Sequence, residues 1–115
     1  MDFKKIDNHT PQYYFSSFRQ GFESTDPKTV SASLFGLLFS FSKDFDLLCP
    51  NIANASRDYV RDVVNYLDRK YTATIRYFKQ RGLCHEIPDV GYRESLLGSR
   101  PDIAARYGAE SGLIF

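Results

Sequence analysis

The segment Ser56–Gly82 constrains the fold most, because its apolar residues recur at helical spacing along almost its whole length. One face of the helix that it predicts holds Val60, Val63, Val64, Leu67, Tyr71, Thr74, Ile75 and Phe78. Asn54 or Ser56 can cap its N-terminus, and Gly82 stands where a left-handed residue commonly ends a helix. The pattern therefore predicts a long amphipathic helix over about residues 56–81.

A second long helix is predicted over about residues 27–48, between the start signal Asp26-Pro27 and the helix-ending Pro50. Its main apolar stripe consists of Val30, Leu34, Leu37, Leu38, Phe41, Phe45 and Leu48. Phe35 and Phe39 lie on the other side of this helix. A helix that is apolar on both sides is usually buried on both sides, so this segment is predicted to be the central, buried helix.

Shorter helices are expected around these two. Thr10 followed by Pro11 predicts a helix over residues 11–20, which Gly21 would weaken at its end. Beyond Gly82, residues 92–97 form either one helical turn or a short extended piece, and residues 102–107 form a last helix. The sequence has no alternating run long enough to demand a sheet.

These patterns together predict an all-α fold, a small bundle of three to five helices, in one domain over residues 1–115. Residues 1–9 and 108–115 are the candidates for flexible ends. Within the central helix, Ala32, Gly36 and Ser40 form a stripe of small residues that would let a neighbouring backbone approach closely. The serines at 40 and 42 mark the place where this helix would break, since serine competes for backbone hydrogen bonds.

Composition is that of an ordinary folded protein, with 43 % hydrophobic and 25 % charged residues among 115. The two cysteines, Cys49 and Cys84, favour a reducing compartment, although a single bridge between them stays an alternative. The first ten residues lack the apolar core of a secretion signal, and the run Ala32–Phe41 is too short for a membrane span of about 20 residues. We therefore expect no membrane contact and a cytoplasmic protein, or one in the host cytoplasm if a phage or plasmid encodes it.

Charge is concentrated in the long helix. The net charge of the whole chain is +1, but residues 51–81 hold seven basic and three acidic side chains, a net of +4. The long helix is thus a basic element in a nearly neutral protein, whose global charge implies no attraction to nucleic acid or to anionic membranes.

A specific catalytic motif is not found. The cluster Cys84-His85-Glu86 with Asp89 has the residue types of a metal or nucleophilic site, but consecutive residues diverge in direction, so an ordinary loop is favoured. We predict a protein that is not an enzyme, without catalytic residues, metal or cofactor. A small enzyme around Cys84 and His85 is kept as an alternative.

The other side of the long helix gives the functional indication. Tyr59, Tyr66 and Tyr77 form a stripe beside the core face, next to Arg69 and Arg76. Tyrosine and arginine are enriched at the energetic centres of protein interfaces, and the same pair suits stacking and phosphate contact with single-stranded nucleic acid. The alternative is that the tyrosines pack under the terminal segments and the arginines are simply solvated. Both interpretations stay open.

The apolar tail Leu113–Phe115 is either docked on its own core or offered to a partner. We predict a non-catalytic protein-binding module of the adaptor, inhibitor, immunity or assembly type, with another protein as its partner. The candidate partner-binding residues are Tyr59, Tyr66, Arg69, Arg76, Tyr77, Lys79 and Phe115. The alternative is a nucleic-acid-binding accessory protein that uses the same basic helix. A homo-oligomer is also compatible with the sequence.

Overall fold

The computed structural model describes residues 3–87 and 92–108, and these residues form helices and no strands. The α-helices are α1 (Pro11–Phe22), α2 (Pro27–Leu48), α3 (Arg57–Gln80), α4 (Tyr92–Ser99) and α5 (Pro101–Tyr107). Single turns of 3-10 helix occupy Phe3–Ile6 and Ile52–Asn54. The predicted all-α bundle is confirmed.

Side-chain caps fix where the long helices begin. The Asp26 side chain accepts a hydrogen bond from the backbone N–H of Lys28 at the start of α2. At the start of α3, the Ser56 hydroxyl accepts from the N–H of Tyr59, so Ser56 rather than Asn54 is the cap. Gly82 has φ +82°, the left-handed conformation predicted for the residue that ends α3.

The core lies where α1 and α2 pack against α3. Every residue that the sequence assigned to the inner face of α3 is buried. At its centre, the ring centroids of Phe41, Tyr71 and Tyr92 lie 5.4 to 5.5 Å apart, which joins α2, α3 and α4. The helix prediction for residues 56–81 is therefore confirmed in position and in the face that it buries.

Helices α1 and α2 approach each other closely through small residues. A Cβ atom added to Gly21 would lie 1.8 Å from Oγ of Ser33, and one added to Gly36 would lie 2.9 Å from the Phe18 ring. Of the predicted small stripe, Gly36 takes part in this contact, whereas Ala32 is exposed. Helix α1 continues through Gly21 to the buried Phe22, two residues beyond the predicted end, because the contact with α2 holds this last turn in place.

Helix α2 differs from the prediction in two respects. It continues without a break through Ser40 and Ser42. Its second apolar side is not covered: Phe35 is 73 % exposed and Phe39 is 60 % exposed. The reason is that α1 and α3 pack on the first side of α2, while the short helix α4 reaches only part of the second.

The turn Phe3–Ile6 packs against α3, although the sequence suggested a loosely held segment over residues 1–9. Ile6 is fully buried, and the Phe3 ring stacks on the Tyr66 ring with centroids 4.4 Å apart. The Lys70 ammonium donates a hydrogen bond of 3.0 Å to the carbonyl of Ile6. The apolar tail Leu113–Phe115 lies outside the described residues.

Candidate functional site

The tyrosine stripe of α3 is half-buried and engaged within the chain. The Tyr59 hydroxyl donates a hydrogen bond to the carbonyl of Leu48 at the end of α2. Tyr66 stacks on Phe3, and Tyr77 meets the ring of Phe15 edge-on at 5.5 Å. Of these contacts, the stacking of Tyr66 on Phe3 is of the kind expected if the tyrosines pack under the terminal segments. A partner-binding role for the three tyrosines stays a prediction.

The basic residues of α3 lie at different depths. Arg69 and Arg76 are exposed and sit seven residues apart on one line of the helix, whereas Lys79 is half-buried. Exposed Ala73 lies between the two arginines. This outward line of α3 is therefore polar and charged, with alanine as its apolar member. Phe115, the last candidate, lies outside the described residues.

Side chains of the types used in catalysis lie in two separate places, one around Cys84 and the other around Asp44. Cys84 is half-buried, and burial raises the pKa of its thiol to about 11, so at neutral pH it is protonated and a poor nucleophile. His85 and Glu86 are exposed beside it, and Asp89 is outside the described residues. Within residues 3–87 and 92–108, side chains of His, Cys, Asp and Glu do not gather into a group able to hold a metal ion. Cys49 and Cys84 are both free thiols.

A buried polar cluster joins α1, α2 and the N-terminal segment. Asp44 is 3 % exposed, its Oδ2 accepts a hydrogen bond from the Tyr14 hydroxyl, and its Oδ1 lies 3.0 Å from Nδ1 of His9. Burial, followed by the hydrogen bond to Asp44, raises the pKa of Tyr14 far above its ordinary value. Tyr14 therefore stays a hydrogen-bond donor. No spacing rule reveals this cluster from the sequence, because Asp44 lies 30 positions from Tyr14 and 35 positions from His9.

The outward side of α2 carries the exposed apolar surface. We call it the α2 outer face and define it as Lys28, Ser31, Ala32, Phe35, Phe39, Ser42, Lys43 and Asp46. All of these are exposed except Ser42, which is half-buried. On a helix of 3.6 residues per turn they fall within about 120° of arc.

Two hollows flank the exposed rings of this face. A groove of ≈ 550 Å³ runs between α2 and α4, with Leu38, Tyr92 and Leu96 among its apolar lining residues. A smaller hollow of ≈ 390 Å³ lies toward the start of α2, beside Ala32 and Phe35. The face therefore presents projecting rings next to depressions that could each receive a side chain.

Polar groups border the groove. The Arg100 guanidinium donates to Oγ of Ser42 at 2.9 Å and to Oδ1 of Asp46 at 2.8 Å, and it also binds Asp102. The hydrogen bond from Arg100 lowers the pKa of Asp102. On α2 the Lys43 ammonium lies 5.0 Å from the Phe39 ring centroid. An apolar centre with a polar border is the arrangement of protein-binding surfaces.

Comparison with known proteins gives no relative: no family model, curated protein or solved structure matches this chain. Among the described residues, none of the helices is both long enough and apolar enough to cross a membrane. The indication of function therefore comes from the surface of the protein itself.

Proposed function

We propose that this chain is a non-catalytic protein-binding module whose contact surface is the α2 outer face. The observation that carries the proposal is the exposure of two adjacent phenylalanine rings, Phe35 and Phe39, beside an open apolar groove. Neighbouring large apolar side chains that share a concave surface mark interaction sites on soluble domains.

The free energy available from this surface is sufficient for association. A phenylalanine side chain has roughly 200 Å² of surface, and Phe35 and Phe39 leave 73 % and 60 % exposed. Covering both would contribute about 7 kcal/mol at ~25 cal/mol per Å². Association costs at least about 4 kcal/mol in lost translational and rotational freedom, so a partner must also fill the groove to bind tightly.

The tyrosine side of α3 offers less uncovered apolar surface. The Tyr59 hydroxyl already has a backbone acceptor, and the rings of Tyr66 and Tyr77 already pack on Phe3 and Phe15. A partner there would meet mainly Arg69 and Arg76. Because charged side chains on an exposed border contribute little affinity, we place the main contact on α2.

The polar clusters support a non-catalytic role. Asp44 is occupied by Tyr14 and His9, and its carboxylate is almost fully buried. The Cys84 thiol is held in its protonated form at neutral pH by burial. Neither group is presented to a substrate as a general base or an activated nucleophile.

Site-specific photocrosslinking in cells that express the protein tests the proposal. The photoreactive residue p-benzoylphenylalanine is placed at position 39, on the α2 outer face, and as a matched control at position 76, on the exposed line of α3. We expect a discrete crosslinked product from position 39 and none from position 76. A product from position 76 alone would move the contact to α3, and the absence of a product at both positions would overturn the binding module.

The nucleic-acid alternative makes a different prediction. Binding through about four Lys and Arg contacts would weaken roughly a hundredfold between 50 and 200 mM salt. It would also be lost when Arg69 and Arg76 are both replaced by alanine. Salt-dependent binding of single- or double-stranded probes that disappears in this variant would replace the present proposal.

A further inference from the structure

The α2 outer face has a seven-residue repeat. Its members pair at i and i+4 as Lys28 with Ala32, Phe35 with Phe39, and Ser42 with Asp46, and each pair lies seven residues after the one before. Such a repeat keeps one line of a helix in contact with a second helix that crosses it at about 20°. The pattern is typical of a seam between two helices.

The two hollows have the positions that such a seam requires. In helix pairs of this kind, a side chain of one helix inserts into a hole formed by residues i, i+3, i+4 and i+7 of the other. The smaller hollow is lined on α2 by Lys28, Ser31, Ala32 and Phe35. The groove is lined on α2 by Phe35, Leu38, Phe39 and Ser42. These are consecutive holes of a single seam, and both are open.

The face is also complementary to itself. A two-fold axis beside residue 37, perpendicular to α2, would set a second copy of α2 antiparallel to the first. Phe35 then faces the second copy's Phe39, and Ala32 faces the second copy's Ser42. The centre of the groove-side hole falls opposite the second copy's Phe35. A two-fold interface requires a patch of this kind, in which each residue type meets its complement on the same surface.

Charge selects the antiparallel arrangement. The same axis places Lys28 opposite the second copy's Asp46, at both ends of the seam. The Asp46 side chain is 56 % exposed and binds Arg100 through 2.8 and 3.3 Å contacts, and a carboxylate can accept further hydrogen bonds. A parallel arrangement in register would instead bring Lys28 against Lys28 and Asp46 against Asp46. Like charges placed opposite each other disfavour it.

We propose that a second copy of this chain occupies the α2 outer face, with the two α2 helices antiparallel and the Phe35 and Phe39 rings interleaved. The inference rests on the proposed function, since it names the partner of the same surface. The seam from residue 28 to residue 46 is about 27 Å long, which is small for a permanent dimer. The interface belongs to the weak, reversible class, with a dissociation constant in the micromolar to submillimolar range.

Sedimentation equilibrium of the purified chain measures this association. Between about 5 and about 500 μM we expect the average mass to rise from the 13.2 kDa of the monomer toward twice that value. The variant Phe35→Ser with Phe39→Ser should weaken the association at least about tenfold. Leu47→Ser is the matched control, because Leu47 is exposed on α2 but lies off the seam, and it should associate like the unmodified chain.

Charge reversal tests the antiparallel register. Lys28→Glu and Asp46→Lys should each weaken self-association about three- to tenfold at low salt, because each places like charges at both ends of the seam. Mixing the two variants should restore the affinity, since both contacts in the mixed dimer then join opposite charges. A mixture that stays as weak as its components would overturn the register.

The outcomes separate this inference from the proposed function. A chain that stays monomeric at about 500 μM while position 39 crosslinks to a different protein would overturn the dimer and leave the binding module standing. Self-association that survives the Phe35 and Phe39 replacements would show that another surface forms the dimer and would overturn this inference, whereas the proposed function would still be decided by the crosslinking from position 39.

Discussion

The inner face of α3 and the outer face of α2 are both apolar, but the chain covers only the first. All eight residues assigned to the inner face of α3 are buried, under α1, α2 and the terminal helices. On α2, Phe41 and Phe45 are fully buried, whereas Phe35 and Phe39 on the opposite side are mostly exposed.

Helical periodicity predicts the buried side of α3 but not the buried side of α2. On α3 the opposite side is charged, so only one orientation of the helix removes the apolar face from water. On α2 both sides are apolar, and periodicity does not indicate which side the rest of the chain will cover. An apolar side that the chain leaves uncovered is a candidate contact surface for a partner.

Replacing one phenylalanine on each side of α2 should change stability by very different amounts. Phe41→Ala should lower the free energy of unfolding by about 3–5 kcal/mol, because it leaves a cavity between the rings of Tyr14 and Tyr71. Phe39→Ala should change it by less than about 0.5 kcal/mol. Urea unfolding of both variants at low protein concentration measures the pair. A similar loss in both would mean that the outer face is covered within the monomer.

The two carboxylates Asp44 and Asp46 also lie on different sides of α2, and replacing them should have smaller effects on stability. Asp44→Ala should cost about 2–3 kcal/mol, because the buried Tyr14 hydroxyl and His9 lose their partner. Asp46→Ala removes an exposed ion pair with Arg100 and should cost no more than about 1 kcal/mol. Equal midpoints of thermal unfolding for the two variants would contradict the buried cluster.

Substitution of two glycines by alanine tests the contact between α1 and the first side of α2. Gly21→Ala should lower stability by about 1–2 kcal/mol, because its methyl group would collide with Ser33. Gly98→Ala on α4 meets nothing within 4 Å, so it should raise stability by about 0.5–1 kcal/mol through higher helix propensity. The two changes should thus have opposite signs in urea unfolding. A stabilising Gly21→Ala would mean that α1 and α2 are further apart than described.

The smallest effect is expected on the exposed line of α3. Replacing Arg69 and Arg76 together by alanine should change the free energy of unfolding by less than about 0.5 kcal/mol. It should also leave self-association through α2 unchanged, which sedimentation of the double variant would check. A marked loss of either property would show that α3 contributes more than a solvated surface.

Most of the fold was predictable because local signals agreed with each other. Proline and cap residues mark the start of α2, and Ser56 and Gly82 mark the two ends of α3. Both helices were therefore predicted within one residue of their limits. Less was predictable where tertiary contacts decide. The turn at Phe3–Ile6 is held by Lys70 and Tyr66 of α3, and the extension of α1 through Gly21 depends on Ser33 of α2.

The candidate site was less predictable than the fold. Tyr59 and Tyr66 have the residue type of an interface, but their partners Leu48 and Phe3 come from other parts of the chain, which no spacing on α3 reveals. The exposed Phe35 and Phe39 were visible as a second apolar side, and the rule that such a side is buried led to the wrong expectation. The symmetric spacing of Lys28 and Asp46 around these rings is the sequence feature on which the proposed contact with a second copy rests.

NMR of the chain with ¹³C-labelled phenylalanine rings, followed from about 10 μM to about 1 mM, tests most directly the claim that the α2 outer face is the contact surface. We expect the ring signals of Phe35 and Phe39 to shift with concentration, while those of the buried Phe41 and Phe78 stay constant. If the signals of Phe35 and Phe39 do not move while the chain associates, the contact does not lie on the α2 outer face.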